Sequence, residues 1–157
     1  MTQRATLAAY MHVEGFDNFH RDAFDKKKLR PAFRKAGRLV EVRSQLNLSL
    51  AGGSVNYPRI RRGVLRSSIE TKVSRSGFMV KVMPQRVAGM KAYYPAYLHY
   101  GVRNGAKRTK GHRRQADNGR GWRIAPRENF MEDALQKSND RIVSILQDAF
   151  AKSLHNG

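Results

Sequence analysis

The fold is decided by residues 69–83, which read IETKVSRSGFMVKVM. In the first part of this stretch, positions 69, 71 and 73 alternate with the charged residues Glu70 and Lys72. In the second part, the apolar positions 78, 80 and 82 alternate with methionine and lysine. Alternation of this kind is typical of strands that bury one face, and Arg75-Ser76-Gly77 between them forms a turn. Because the link is so short, we predict an antiparallel β-hairpin.

Helical spacing flanks the hairpin on both sides. Before it, apolar residues recur at three- and four-residue steps and predict an amphipathic helix from about Leu29 to Leu48. Pro31 is tolerable in a first turn, and the glycines at 52 and 53 mark the end of the helix. After the hairpin, Pro126 opens a second long helix. Its predicted buried face comprises Met131, Ala134, Leu135, Ile142, Ile145, Leu146, Ala149 and Phe150.

These elements predict an α+β fold, in which a small antiparallel sheet with a central hairpin packs against two long amphipathic helices. The core-facing side of the hairpin should contact the last helix through Leu135, Ile142 and Leu146. A chain of 157 residues fits a single domain, residues 1–157. Residues 1–20 form an N-terminal arm or strand in this interpretation, and 103–123 a flexible basic loop.

Charge is the most informative feature of the composition. Lysine and arginine number 31 against 12 acidic residues, which gives a net charge of +19 and a pI of about 11.1. Such an excess indicates an anionic partner: nucleic acid, an acidic protein surface or, least favoured, a membrane face. The chain has no cysteine, so disulfides and thiolate chemistry are excluded. No apolar run approaches the roughly 20 residues of a membrane helix, and we expect a protein made in a cytoplasm.

The basic loop (residues 103–123) concentrates part of this charge. Its cations face a single acid, Asp117, and they are Arg103, Lys107, Arg108, Lys110, Arg113, Arg114, Arg120 and Arg123. With so few apolar residues the loop cannot bury itself, and we expect it to be mobile in the free subunit. It can follow a phosphate backbone, with Trp122 stacking on a base, or it can order against an acidic neighbouring subunit. Charge alone leaves both interpretations open.

A tyrosine-rich segment precedes this loop. Residues 93–101 read YYPAYLHYG and end at a glycine. Tyr94, Tyr97 and Tyr100 are candidates for packing between subunits, because tyrosine suits a surface that is apolar on one side and wet on the other. Packing within the subunit's own core is the alternative.

No constellation in the sequence specifies a reaction. The five histidines, His12, His20, His99, His112 and His155, are scattered and form no metal-ligand pair of known spacing. Acidic pairs such as Asp22 and Asp25 stand beside abundant lysine and arginine, where solvated ion pairing is the better interpretation. We therefore predict no enzyme, with no catalytic residue, no cofactor and no metal.

Four segments, taken in order, carry a resemblance. They are Val13-Glu14-Gly15-Phe16, Arg62-Gly63-Val64-Leu65-Arg66-Ser67-Ser68-Ile69, Tyr94-Pro95-Ala96-Tyr97-Leu98-His99-Tyr100-Gly101 and Ile124-Ala125-Pro126-Arg127-Glu128-Asn129-Phe130-Met131 with the residues up to Leu135. In order and spacing the chain resembles the tail-completion family of long-tailed bacteriophages, the head–tail joining, neck or minor tail proteins. The resemblance spans residues 12–150. The sequence departs from the family pattern where His99 replaces an acid, Val102 replaces threonine, and 127–129 separate Pro126 from Phe130.

The resemblance implies a structural subunit of the virion that joins tail to head, with no active site. It implies a homo-oligomeric ring, hexameric to match a tail, beside connector or head-completion proteins and tail-tube or tail-terminator proteins. DNA passing through the channel is a further partner that it allows. The alternative function is a basic nucleic-acid-binding protein, such as a packaging or nucleoid factor, although recognisable nucleic-acid-binding motifs are missing from the sequence.

Overall fold

The computed structural model describes residues 20–50, 57–90, 93–104 and 121–154. The predicted N-terminal arm, up to residue 19, and residues 105–120 of the basic loop lie outside these ranges. After a short 3-10 turn at Arg21–Ala23, the described elements are α1 (Lys26–Leu50), α2 (Val64–Ser67), β1 (Ile69–Val73), β2 (Val80–Pro84), α3 (Tyr94–Tyr100), β3 (Val102–Arg103), β4 (Trp122–Ile124), α4 (Phe130–Gln136) and α5 (Asn139–Ser153). The mixture of helices and small antiparallel sheets confirms the predicted α+β class.

The predicted hairpin is present, and its register confirms the alternation. Strands β1 and β2 are antiparallel, with Ile69 opposite Pro84 and Val73 opposite Val80. Ile69 is buried and Val73 half-buried, whereas Glu70 and Lys72 between them are exposed. One face of the hairpin therefore lies on the core and the other faces solvent.

Helix α1 begins three residues before the predicted start, at Lys26. Asp25 explains the difference, because its carboxylate accepts a hydrogen bond from the backbone N–H of Lys27 at 2.8 Å. The carbonyl of Asp25 also accepts from the N–H groups of Lys28 and Leu29. An N-cap of this kind stabilises the first turn, so the helix includes Pro31 in its interior instead of starting beside it.

Helix α1 is the central element, and this corrects the predicted packing of the hairpin. Both strands contact α1, while α4 and α5 pack on α1 as well. Gly37 explains why α1 takes this place: a Cβ atom there would lie 2.6 Å from Val80 Cγ2 and closer still to the methyl group of Thr71. The missing side chain lets the helix approach the sheet closely. The hairpin and the last helix still share one core, which joins Val80 and Val82 to Ile142 and Leu146.

The predicted C-terminal helix is divided in two, which is a second correction. Asn129 ends the extended segment that follows Pro126, and its side chain accepts hydrogen bonds from the N–H groups of Met131 and Glu132. Helix α4 therefore begins after this N-cap, and turn residues 137 and 138 separate it from α5. The predicted buried face is largely confirmed, because Ala134, Ile142, Leu146 and Phe150 are buried.

Two buried polar side chains of α1 fix the neighbouring elements. Glu41 binds Arg38 at 2.5 Å and accepts a hydrogen bond from Thr71 of β1 at 2.7 Å. Asn47 donates to the backbone carbonyl of Phe130, at the start of α4, at 2.9 Å. A second small core of Leu48, Leu65, Ile69 and Phe130 lies at this end of the helix. These contacts set the hairpin and the α3–α4 region in defined positions along α1.

Candidate interaction surface

The tyrosine-rich segment forms helix α3, with Pro95 in its first turn. Gly101 ends the helix with a φ of 70°, a conformation that favours glycine. A Cβ atom at Gly101 would lie 2.7 Å from Cζ3 of Trp122 and 2.9 Å from the carbonyl oxygen of Ile124. The close approach places the indole ring directly over the end of α3. The tyrosine segment and the base of the basic loop therefore form one continuous surface.

The ends of the basic loop are tied together. Strands β3 and β4 pair antiparallel through Val102 with Ile124 and Arg103 with Trp122, with an irregularity in the register. The guanidinium carbon of Arg103 lies 4.6 Å from the centre of the Trp122 ring, a cation–π contact. The prediction that all of residues 103–123 form a flexible loop is therefore wrong at the two ends. Val102–Arg103 and Trp122–Ile124 are strands, because their backbone groups pair across the base of the loop.

Exposure separates the predicted site residues into two groups. Tyr97, Tyr100 and Trp122 are all more than two fifths exposed, although they are large aromatic side chains. Arg103 and Arg123 are exposed beside them. We call these five residues the aromatic–basic surface. Exposed aromatic side chains interleaved with arginine are characteristic of protein interfaces.

Tyr94 differs from the other two tyrosines. It is half-buried against the second core of Leu48, Leu65, Ile69 and Phe130, and burial raises the pKa of its hydroxyl above the usual value. Its packing within the subunit is therefore substantial. The remaining predicted contact residues lie outside the described residues, and they are Lys107, Arg108, Lys110, Arg113, Arg114 and Arg120.

His99 lies behind the aromatic–basic surface. Its ring contacts that of Tyr100 edge to face, with centres 4.8 Å apart. Its Nε2 atom is buried and has no hydrogen-bond partner among the described residues. The residue borders a small cavity of about 30 Å³, which is also lined by Pro95, Leu98 and Phe130. A cavity of this size holds about one or two water molecules, so it is not a site for a larger ligand.

Sequence reasoning missed a second surface, on α1. Residues spaced four apart form one exposed row, cationic in its first half at Arg30, Arg34 and Arg38. The same row is apolar in its second half, where Val42, Leu46 and Leu50 are 51%, 45% and 70% exposed. The four-residue spacing of these residues is the feature of the sequence that could have indicated this surface. It was not informative alone, because a row of charges on a helix usually only faces solvent.

Within the described ranges, no group of three or more histidine and acidic side chains is arranged to hold a metal ion. None of the helices in those ranges has the length and apolar character needed to cross a membrane. Comparison with protein-family models, with curated proteins and with solved structures finds no match to this chain. Its surfaces are therefore the basis on which a function can be inferred.

Proposed function

We propose that the protein is a tail-completion or neck subunit of a tailed bacteriophage, which forms a ring joining the tail to the head during virion assembly. The observation that carries the proposal is the aromatic–basic surface (Tyr97, Tyr100, Arg103, Trp122 and Arg123). Large aromatic side chains left in water cost free energy in a lone subunit and contribute binding energy when a partner covers them. The resemblance of four ordered segments to the tail-completion family supports the same function.

The distribution of charge supports repeated head-to-tail contact between copies. In α1 the lysines and arginines are opposed by Glu41 alone. Exposed acids lie instead on α4 and α5, at Glu132, Asp140 and Asp148. A ring made by one rotation brings two different surfaces of neighbouring copies together, so cations on α1 and exposed acids on α4 and α5 favour such contacts.

The paired strands β3 and β4 give the basic loop a fixed base beside the exposed tyrosines. This pairing fixes the points at which the basic loop leaves and rejoins every subunit. We favour an acidic neighbouring protein as its partner, because a joint between head and tail has to hold before and after the genome leaves. The protein is then a component of the virion, with connector and tail proteins on either side.

The test is a complementation experiment in the encoding phage with the double variant Tyr97→Ser and Tyr100→Ser. Because both side chains are exposed, the variant subunit should fold with an unchanged circular dichroism spectrum. We expect separate heads and tails in electron micrographs and a loss of infectious particles of at least about tenfold, as expected when central aromatic contacts are truncated.

The matched control is the pair Met79→Ser and Met83→Ser. These side chains are 44% and 40% exposed on the solvent face of the hairpin, close to the values for the two tyrosines. The control should assemble normally. Normal joining of heads to tails by the tyrosine variant would contradict the proposal.

Sequence-independent nucleic-acid binding is the second candidate function. The contact of Arg103 with Trp122 favours it, since an exposed indole can stack on a base while the adjacent guanidinium binds a phosphate.

A further inference from the structure

The first half of α1 carries a basic patch that no contact within the described structure neutralises. Lys27, Arg30 and Arg34 are exposed and lie on one side of the helix, since they are spaced three and four residues apart. None of them has a carboxylate within ion-pair distance in the described parts of the chain. Arg38, one turn further, is paired with Glu41.

The hairpin extends this patch and fixes part of it. Gly77, in the turn between β1 and β2, packs on Arg30: a Cβ atom at Gly77 would lie 3.2 Å from Arg30 Cγ. The same turn carries Arg75, which is exposed. Because this turn packs on α1 through Gly77, Arg75 brings a further cation close to the patch. The aliphatic part of Arg30 therefore packs against the turn, while the residue as a whole remains exposed.

The charges at the start of α1 are unfavourable for the stability of the helix. Its first turn contains three lysines and no acidic residue, whereas the partial positive charge of a helix N-terminus favours acids there. Asp25, which caps the helix, and Asp22 are the nearby acids. Folding alone does not account for the placement of so many cations in this region.

We infer that Lys27, Arg30, Arg34 and Arg75 form a contact surface for the phosphate backbone of double-stranded DNA. The three cations on α1 follow one another at about 4.5 and 6 Å along a rigid helix, which suits a polymer with closely spaced charges. The exposed aliphatic residues of α1, Val42, Leu46 and Leu50, lie beyond Arg38, so the cations of the patch do not surround an apolar anchor of the kind that a protein interface places at its centre. This surface is separate from the basic loop, and the inference does not depend on the proposed role in the virion.

The experiment measures the binding of the full-length protein to a fluorescein-labelled random-sequence duplex of about 20 base pairs, by anisotropy over a series of salt concentrations. The test variant combines Lys27→Gln, Arg30→Gln and Arg34→Gln. We expect its affinity to fall at least about tenfold near 100 mM salt, and the slope of log K against log [salt] to decrease in magnitude by about 3.

Two control variants separate a specific patch from general attraction to a polycation. Lys137→Gln, Arg141→Gln and Lys152→Gln remove the same charge from exposed positions on and beside α4 and α5, and the slope should then change by less than about 1. Lys27→Arg, Arg30→Lys and Arg34→Lys keep the charge and should keep the affinity. Equal losses in the test and charge-matched variants would overturn the inference, as would unchanged binding by the test variant, the result expected if the patch instead faces an acidic protein.

Discussion

Gly37 shows how a single residue determines the packing of the central layer. It stands in the middle of α1, where glycine is the least favourable residue for a helix after proline. Glycine suits this position because it has only a hydrogen atom in place of a side chain. Thr71 and Val80 of the hairpin fill the space that a side chain would occupy. The cost in helix propensity is offset by the close contact between helix and sheet.

Gly37→Ala tests this interpretation. The added methyl group improves helix propensity by up to about 1 kcal/mol, but it forces the hairpin outward at a cost of about 1–3 kcal/mol. We expect a net decrease of about 1–2 kcal/mol in the free energy of unfolding, measured by urea denaturation with Trp122 fluorescence and circular dichroism.

The control for Gly37 is Gly89→Ala, where a Cβ atom would meet Val64 at 3.5 Å, an ordinary contact distance. This variant should leave the free energy of unfolding within about 0.5 kcal/mol of the wild type. A Gly37→Ala protein as stable as the wild type would show that α1 and the hairpin are not in such close contact.

At the level of elements, a tyrosine ties the segment before α2 to helix α4. The hydroxyl of Tyr57 donates a hydrogen bond to a carboxylate oxygen of Asp133. Burial, reinforced by the hydrogen bond to Asp133 and its negative charge, raises the pKa of Tyr57 from 10.0 to about 12. The neutral phenol is therefore favoured in the folded state relative to the unfolded state.

This shift predicts a specific pH dependence. The stabilisation from Tyr57 is fully present below pH 10, and it is lost as the pH rises through the window from 10 to 12, because the unfolded chain releases the proton first. Tyr57→Phe should remove this contribution, so its stability should fall less steeply in that window than that of the wild type. Urea midpoints measured from pH 9 to 11.5 provide the test.

The exposed Tyr97→Phe variant is the control for the tyrosine experiment, and its pH profile should follow the wild type. Parallel profiles for the wild type and Tyr57→Phe would contradict the contact between Tyr57 and α4.

The elements also show which parts of the structure could be predicted from the sequence. The hairpin was predictable because a period of two runs through both strands and a short turn joins them. The division of the last helix was not, because the apolar spacing continues through turn residues 137 and 138. The late start of α4 depends on the cap of Asn129, whose side chain accepts from only two N–H groups, those of Met131 and Glu132. The central position of α1 depends on Gly37. Amphipathic periodicity does not indicate which of the two helices packs against the hairpin.

The candidate surfaces were predictable only in part, because they also depend on contacts between distant parts of the chain. The sequence indicated that Tyr97, Tyr100 and Trp122 were candidates for contact, since each belongs to an unusual local composition. It did not indicate that Trp122 stacks on Arg103 and covers Gly101, because those contacts are formed by strand pairing across a long loop. The basic patch on α1 required knowledge of which cations have no carboxylate nearby, which is a property of the folded chain.

At the scale of the whole molecule, we propose that the subunit repeats around an axis in the virion. A small α+β core carries exposed aromatic side chains at the base of the basic loop, cations along α1 and exposed acids on α4 and α5. These features occupy different parts of the surface, so neighbouring copies can meet through unlike surfaces and close into a ring.

Counting the copies of this subunit in the neck of the virion to which we propose it belongs tests that proposal most directly. Averaged cryo-electron microscopy images of intact particles give the number without assuming a contact. We predict a closed ring of identical copies, sixfold like the tail, with Tyr97, Tyr100 and Trp122 covered by a neighbouring chain. One or two copies per particle, or a ring that leaves these aromatic side chains in solvent, would contradict it.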